Sequence, residues 1–228
     1  MSAPVRVAPV RVGGVRLAPV LWWAALLPAG GCNLAPLALL LGPRQIQKAE
    51  VRLAGGRVLI LIENARPDQE NPVFQSALHE TLTDILRTNK VPSQIVPLAE
   101  VARLRQENPD FNRWSVARVG REVGAEEVLY IRIDQLVLRP TPDHPLIEPQ
   151  VRVRMKLIAV HGDEREARRW PPKEEREGRL VEARRPPREA VDATLLDSEA
   201  AALGREVAYQ VAMPFYDVDL EEKPPREP

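Results

Sequence analysis

The sequence predicts an α/β domain on a single mixed sheet of about four to five strands, with helices mainly on one face, in the order β-α-β-α-β-β-α. Three observations carry this. Arg57 to Ile62, RVLILI, is a short continuous apolar run of the kind that fills a strand buried on both faces. Phe74, Ala77, Leu78, Thr81, Leu82, Ile85 and Leu86 recur at three- and four-residue spacing, the stripe of an amphipathic helix. Val128 to Leu138 and Val151 to Val160 alternate apolar and polar residues, the period of half-buried strands.

The domain is expected over residues 57–216. After the first strand, Glu63 to Asn71 is polar and turn-rich, and Asn71-Pro72 reads as an N-cap followed by proline at the first helical position. The helix should end near Thr88. His79 lies roughly 100° round from the centre of its stripe, which predicts a solvated flank position. Gln94 to Val96 reads as a short strand, and Leu98 to Gln106 as a short helix broken by Asn108-Pro109-Asp110. Phe111 and Trp114 open a further helix, with Trp114, Val116, Ala117 and Val119 or Val123 facing inward and Gly124 ending it. Aromatics at such a corner are read as core anchors.

In the two long strands, Leu129, Ile131 and Ile133 share a face with Val151, Val153, Met155 and Leu157. On the other face Tyr130, Arg132 and Asp134 meet Arg152, Arg154 and Lys156. The strands should pair antiparallel through the proline-rich loop 139–150. Tyr130, Arg132, Arg152 and Arg154 form the candidate contact surface, a cationic row suited to an anionic lipid or glycan. The plainer reading is a solvated outer face partly neutralised by Asp134. In residues 161–188 opposite charges alternate among prolines, predicting an extended loop with one edge strand at Arg179 to Ala183. Asp197 or Ser198 starts a last helix with Ala200, Leu203, Val207 and Val211 on one face, stopped at Pro214. Phe215 and Tyr216 are expected to pack back on the domain, and 217–228 to form a disordered tail.

Ahead of the domain, Arg6, Arg11 and Arg16 precede an apolar run in LAPVLWWAALLPAGGC, where Ala29, Gly30 and Gly31 lead into Cys32, the only cysteine. Arginines hold such a segment's start on the cytoplasmic side, and small residues suit a peptidase site. The stretch resembles the lipobox of bacterial lipoproteins, with Ala29 where leucine is usual. This makes 1–31 a lipoprotein-type signal peptide, Cys32 the lipidated residue, and 32–56 an anchor and tether in which Val51 and Leu53 add a short edge strand. Two other readings fit the same residues: one uncleaved span over 17–41, and ordinary cleaved secretion. All three place the domain outside the cytoplasm.

Composition agrees with export. The chain has 32 Lys+Arg and 32 Asp+Glu, and residues 1–32 hold three arginines and no acids, so the remainder carries 29 against 32, net −3. That balance gives no sign of a nucleic-acid partner. One cysteine excludes an internal disulfide, so packing must hold the fold.

RVLILIEN, a helix, SQIVP, a further helix and VGREVGAEEVLYIRID together resemble a small envelope domain. It is shared by the curli-secretion lipoprotein, the amino-terminal domain of the Tol-Pal beta-propeller protein and the lipoprotein activators of penicillin-binding proteins. The likeness covers about residues 57–160 and centres on Val123-Gly124-Ala125-Glu126-Glu127-Val128-Leu129-Tyr130-Ile131. Arg132 stands where a glycine is usual. The wider layout is similar to bacterial envelope lipoproteins with a tail like Phe215-Tyr216-Asp217. The resemblance implies a non-catalytic, membrane-anchored role in envelope assembly, secretion or wall-synthesis regulation, exerted on other envelope proteins. It transfers no functional residue.

The residues themselves point to no cofactor, metal or catalytic group. His79, His144 and His161 are scattered, without metal-ligand spacing, and no nucleophile elbow or phosphate-binding glycine loop is present. The alternative is an envelope hydrolase or small-ligand binder using the 63–71 loop, where Glu63, Asp68 and Glu70 with His79 follow the carboxyl end of a strand. Carboxylates beside a helix start are also what capping and the helix dipole favour.

Overall fold

The computed structural model describes residues 46–66, 70–91, 93–141, 143–161, 167–189 and 193–219. The expectations for the signal segment, Cys32, Asp68 and residues 220–228 lie outside these. The chain divides after Pro43, and the unit described here is Arg44–Pro228.

The domain opens with β1 (Ile46–Gln47) and β2 (Arg57–Asn64), followed by α1 (Pro72–Thr88). The side chain of Asn71 accepts from the Phe74 amide and Pro72 occupies the first turn, as the N-cap reading predicts. Then come β3 (Gln94–Ile95), α2 (Leu98–Glu107), a 3-10 turn at Phe111–Arg113 and α3 (Val116–Glu122). Ser115 caps α3 through the Arg118 amide, and Gly124 ends it at φ +64, where a side chain would be strained. The second half holds β4 (Glu127–Val137), β5 (Leu146–Ile147), β6 (Gln150–Ala159), β7 (Arg168–Trp170), β8 (Arg179–Arg184) and β9 (Arg188–Glu189). It closes with α4 (Ala193–Ala212), a 3-10 turn at Met213–Phe215 and β10 (Val218–Asp219).

Six strands form one mixed sheet in the order β3-β2-β4-β6-β7, with β8 also paired to β6. β2 runs parallel to β3 and β4, while β4, β7 and β8 are antiparallel to β6. This is the predicted α/β class. Alternate residues of the strands build two cores. Val58, Ile60, Leu129, Ile131, Met155 and Val181 pack with Phe74, Leu78, Leu203 and Val207 of the long helices α1 and α4. Leu59, Leu61, Val128 and Val160 pack with Val101, Phe111 and Val119 around the shorter α2 and α3. Each fully buried aliphatic side chain stabilises the fold by about 1.5–3 kcal/mol relative to exposure. Gly204 lets the long helices meet: a Cβ there would lie 2.7 Å from the Phe74 carbonyl oxygen. Because α2 and α3 are short, they cover only part of the second face, and Glu63, Arg132, Asp134, Arg152, Arg154 and Lys156 occupy the remainder.

Several expectations are corrected. His79 is not on a solvated flank but buried, at 7% exposure. α1 packs against both α4 and the sheet, so its apolar arc is wider than one stripe. α4 starts at Ala193, before Asp197 and Ser198. Ala193 to Leu196 are helix-compatible, and the Ser198 hydroxyl bonds back to the Leu195 carbonyl instead of capping. The 161–188 segment carries β7 as well as the expected edge strand, here β8. Val51 and Leu53 form no strand; Leu53 is buried in the first core, and the edge pairing is Ile46–Gln47 with Val218–Asp219, residues expected in a tether and a tail. The rest of this N-terminal strap is also fastened. Glu50 and Val51 amides donate to the Pro214 carbonyl, Arg179 pairs with Glu50 at 3.0 Å, and the Ala54 amide donates to buried Glu127 at 2.6 Å.

Candidate functional site

Register brings the four predicted contact residues together. Tyr130 on β4 faces Lys156 on β6, Arg132 faces Arg154, and Gln135 faces Arg152. The ladder slips between Ile133 and Gln135, leaving Asp134 as the additional residue of a bulge. That slip decides the electrostatics. Like charges directly opposed across strands repel, but Asp134 turns one carboxylate oxygen to each arginine, 2.7 Å from Arg132 Nε and 2.7 Å from Arg154 Nε. Arg154 also reaches Glu177 at 2.5 Å, and Arg152 donates to Glu182 at 2.6 Å.

Further along the same face the Tyr130 hydroxyl donates to Glu63 at 3.0 Å. Burial, with Glu63 beside it, pushes the Tyr130 phenol up to about 12. Burial also lowers the Lys156 ammonium, and the cations Arg168 and Arg132 lower it further. Gly178, at φ +101, lies against the stem of Lys156: a Cβ there would come 2.9 Å from its Cγ and 2.6 Å from the Met155 carbonyl oxygen. Arg168 donates to the Glu175 and Arg176 carbonyls and so holds the same turn.

Glu177, Glu182 and Arg168 join this face from the 161–188 segment, whose prolines and mixed charges predict loop and so hide them. The available signal was the alternation in RLVEAR, where Val181 and Ala183 point to the core and Leu180 and Glu182 away from it. The residues of the alternative site are not brought together. Glu63 is bonded to Tyr130 on the open face, Glu70 is exposed, and His79 is buried in α1 on the other side of the sheet. A groove of about 480 Å³ between α1 and α4 is lined by Val73, Ala77, Thr81, Ala201 and Arg205. A smaller hollow of about 50 Å³ lies among Gln135, Gln150, Arg152 and Glu182. Neither is lined by Glu63, Glu70 or His79. Among the described residues there is no group of three His, Cys, Asp or Glu placed to hold a metal ion, and no helix is long and apolar enough to cross a membrane.

No protein family pattern and no curated protein sequence matches the chain. Solved structures do. A point variant of the PelC dodecamer from Paraburkholderia phytofirmans is similar at 18% identity and TM-score 0.33, over 75% of this chain and 98% of that one. Lipoprotein GNA1162 from Neisseria meningitidis is similar at 14% identity and TM-score 0.39, over 68% and 99%. The LpoB C-terminal domain from Salmonella enterica is similar at 16% identity and TM-score 0.35, over 67% and 91%. Lipoproteins are thus among the structural neighbours. At this degree of overlap no residue role passes from them to this chain.

Proposed function

We propose that this chain is a lipid-anchored protein of the bacterial envelope whose domain acts outside the cytoplasm by binding other proteins, without catalysis. Cys32 is the lipidated residue, the domain faces the periplasm, and the open half of the sheet is its contact surface. The role is in envelope assembly, secretion or wall-synthesis regulation.

The observation that carries this reading is the ordered ion-pair array of the open face. Arg132, Arg154 and Arg152 are each fixed by a named acid on a rigid sheet, so a partner meets side chains that have already lost most of their freedom. Preorganisation of this kind lowers the entropy lost on association. The hydrolase alternative gains nothing from the geometry, since Glu63 and His79 lie on opposite sides of the sheet.

Photo-crosslinking in the native envelope tests the reading. A crosslinking residue replacing Arg152 is compared with one replacing Gln106, an exposed position on α2. Protein adducts from position 152 that are missing from 106 support the contact face. Adducts from 106 alone, or from neither, overturn it.

A further inference from the structure

We propose that the cation cluster around Lys156 binds a carboxylate of an acidic protein segment, with an apolar neighbour of that carboxylate resting on Leu180. This rests on the open face being a contact surface and names the chemistry of its partner.

Lys156 stands in the middle of that face with Arg132, Arg154 and Arg168 as its charged neighbours and Glu177 as the acid nearest in influence. The acids are already committed. Asp134 is divided between Arg132 and Arg154, Glu177 bonds Arg154, and Glu63 accepts from Tyr130. No carboxylate among the described residues bonds Lys156. The turn at Gly178 lies on the stem of Lys156, and Arg168 fastens that turn through two carbonyls. Lys156 and Arg168 bond no carboxylate among the described residues, and an incoming anion supplies that counter-charge while gaining charge-assisted hydrogen bonds.

The pattern of signs selects the kind of anion. Glu177 is 65% exposed on its side chain, and Glu182 and Glu63 share its face. A uniformly anionic membrane or polymer laid on this face would meet those acids and be repelled. A single carboxylate side chain can sit at the Lys156 ammonium without spanning all of those acids. Leu180 faces Arg154 in the register and is 43% exposed, an apolar contact beside the charge. Charge with adjacent apolar area is the composition of a peptide segment.

The test uses the full chain in zwitterionic detergent and a labelled peptide, Gly-Ser-Leu-Glu-Leu-Glu-Ser-Gly, followed by fluorescence anisotropy. Its glutamine counterpart is the comparison probe. The proposal expects saturable binding of the glutamate peptide, at least tenfold weaker for the glutamine peptide and at least tenfold weaker for Lys156→Gln. Arg105→Gln, on α2, should leave binding unchanged. Lys156 bonds no carboxylate among the described residues, so its variant should melt with the parent, and a matched melting curve verifies this. Equal binding by Lys156→Gln or equal binding of the glutamine peptide overturns the proposal. If position 152 still crosslinks a protein while Lys156→Gln changes nothing, the contact face stands and this inference alone falls.

Discussion

Asp134 stands between Arg132 and Arg154, one carboxylate oxygen 2.7 Å from each Nε, at the residue where the β4–β6 ladder slips. Without it two guanidinium groups would oppose each other directly. Asp134→Ala should therefore cost about 1–2 kcal/mol, since the pair is only partly withdrawn from solvent. Arg154→Gln in the same background should recover part of that loss, with a coupling of about 0.5–3 kcal/mol. Urea midpoints of the single and double variants measure both, and strict additivity would contradict the shared-carboxylate account.

His79 gives the fold an acid-sensitive component. Burial holds its imidazole below the ordinary value of 6.5, against a smaller opposing influence of Glu80, and its Nε2 is buried without a hydrogen-bond partner. The unfolded chain takes up the proton first as pH falls. The contribution is complete above pH 6.5 and is lost as pH drops through the lowered folded value. His79→Leu should raise stability at pH 7.5 by about 1 kcal/mol, because an unsatisfied buried polar atom is removed. It should also flatten the decline in urea midpoint toward pH 5. An unchanged acid slope would contradict this.

These two sites show what was legible in the sequence. The alternation of β4 and β6 was enough to put Arg132 and Arg154 on one face, while their direct opposition is a matter of register. The bulge left a trace that the alternation alone does not reveal: the apolar phase moves from odd positions at Ile133 to an even one at Leu136. His79 was not legible, because the helical period alone does not show which flank of α1 the tertiary packing covers. The same holds for the strap and for β7. Charged, proline-rich stretches look like loops until the partner strand is known, and β6 and β10 are those partners.

Glu127 fastens the start of β4 to the strap and to β7. It is 2% exposed, accepts from the Ala54 amide and pairs with Arg169. Breaking a fully buried ion pair costs about 3–5 kcal/mol. Arg169 is 41% exposed and can turn to water, so Glu127→Ala should cost about 2–3 kcal/mol. Chemical denaturation measures this, and limited proteolysis should show faster cleavage between Lys48 and Arg57. A variant as stable and as protected as the parent would show that the strap is held elsewhere.

Tyr130 reports directly on the open face. Its phenol is raised from 10.0 to about 12, so the folded state favours the protonated form and stability falls as pH rises between those values. In an ultraviolet absorbance titration of the folded chain, Tyr130→Phe should remove the step near pH 12 and leave the rest of the curve unaltered. Glu63→Gln should move that step to lower pH, because the neighbouring negative charge is gone. Persistence of the step in Tyr130→Phe would assign it to another tyrosine.

Intact mass spectrometry of protein extracted from its native membranes tests most directly the proposed anchoring of this domain through Cys32. Beside it stands a Cys32→Ala variant. The account predicts a chain that begins at Cys32 and carries a diacylglycerol-sized addition, both absent from the variant. A chain still beginning near Met1, with no addition and no difference between the two proteins, would contradict it.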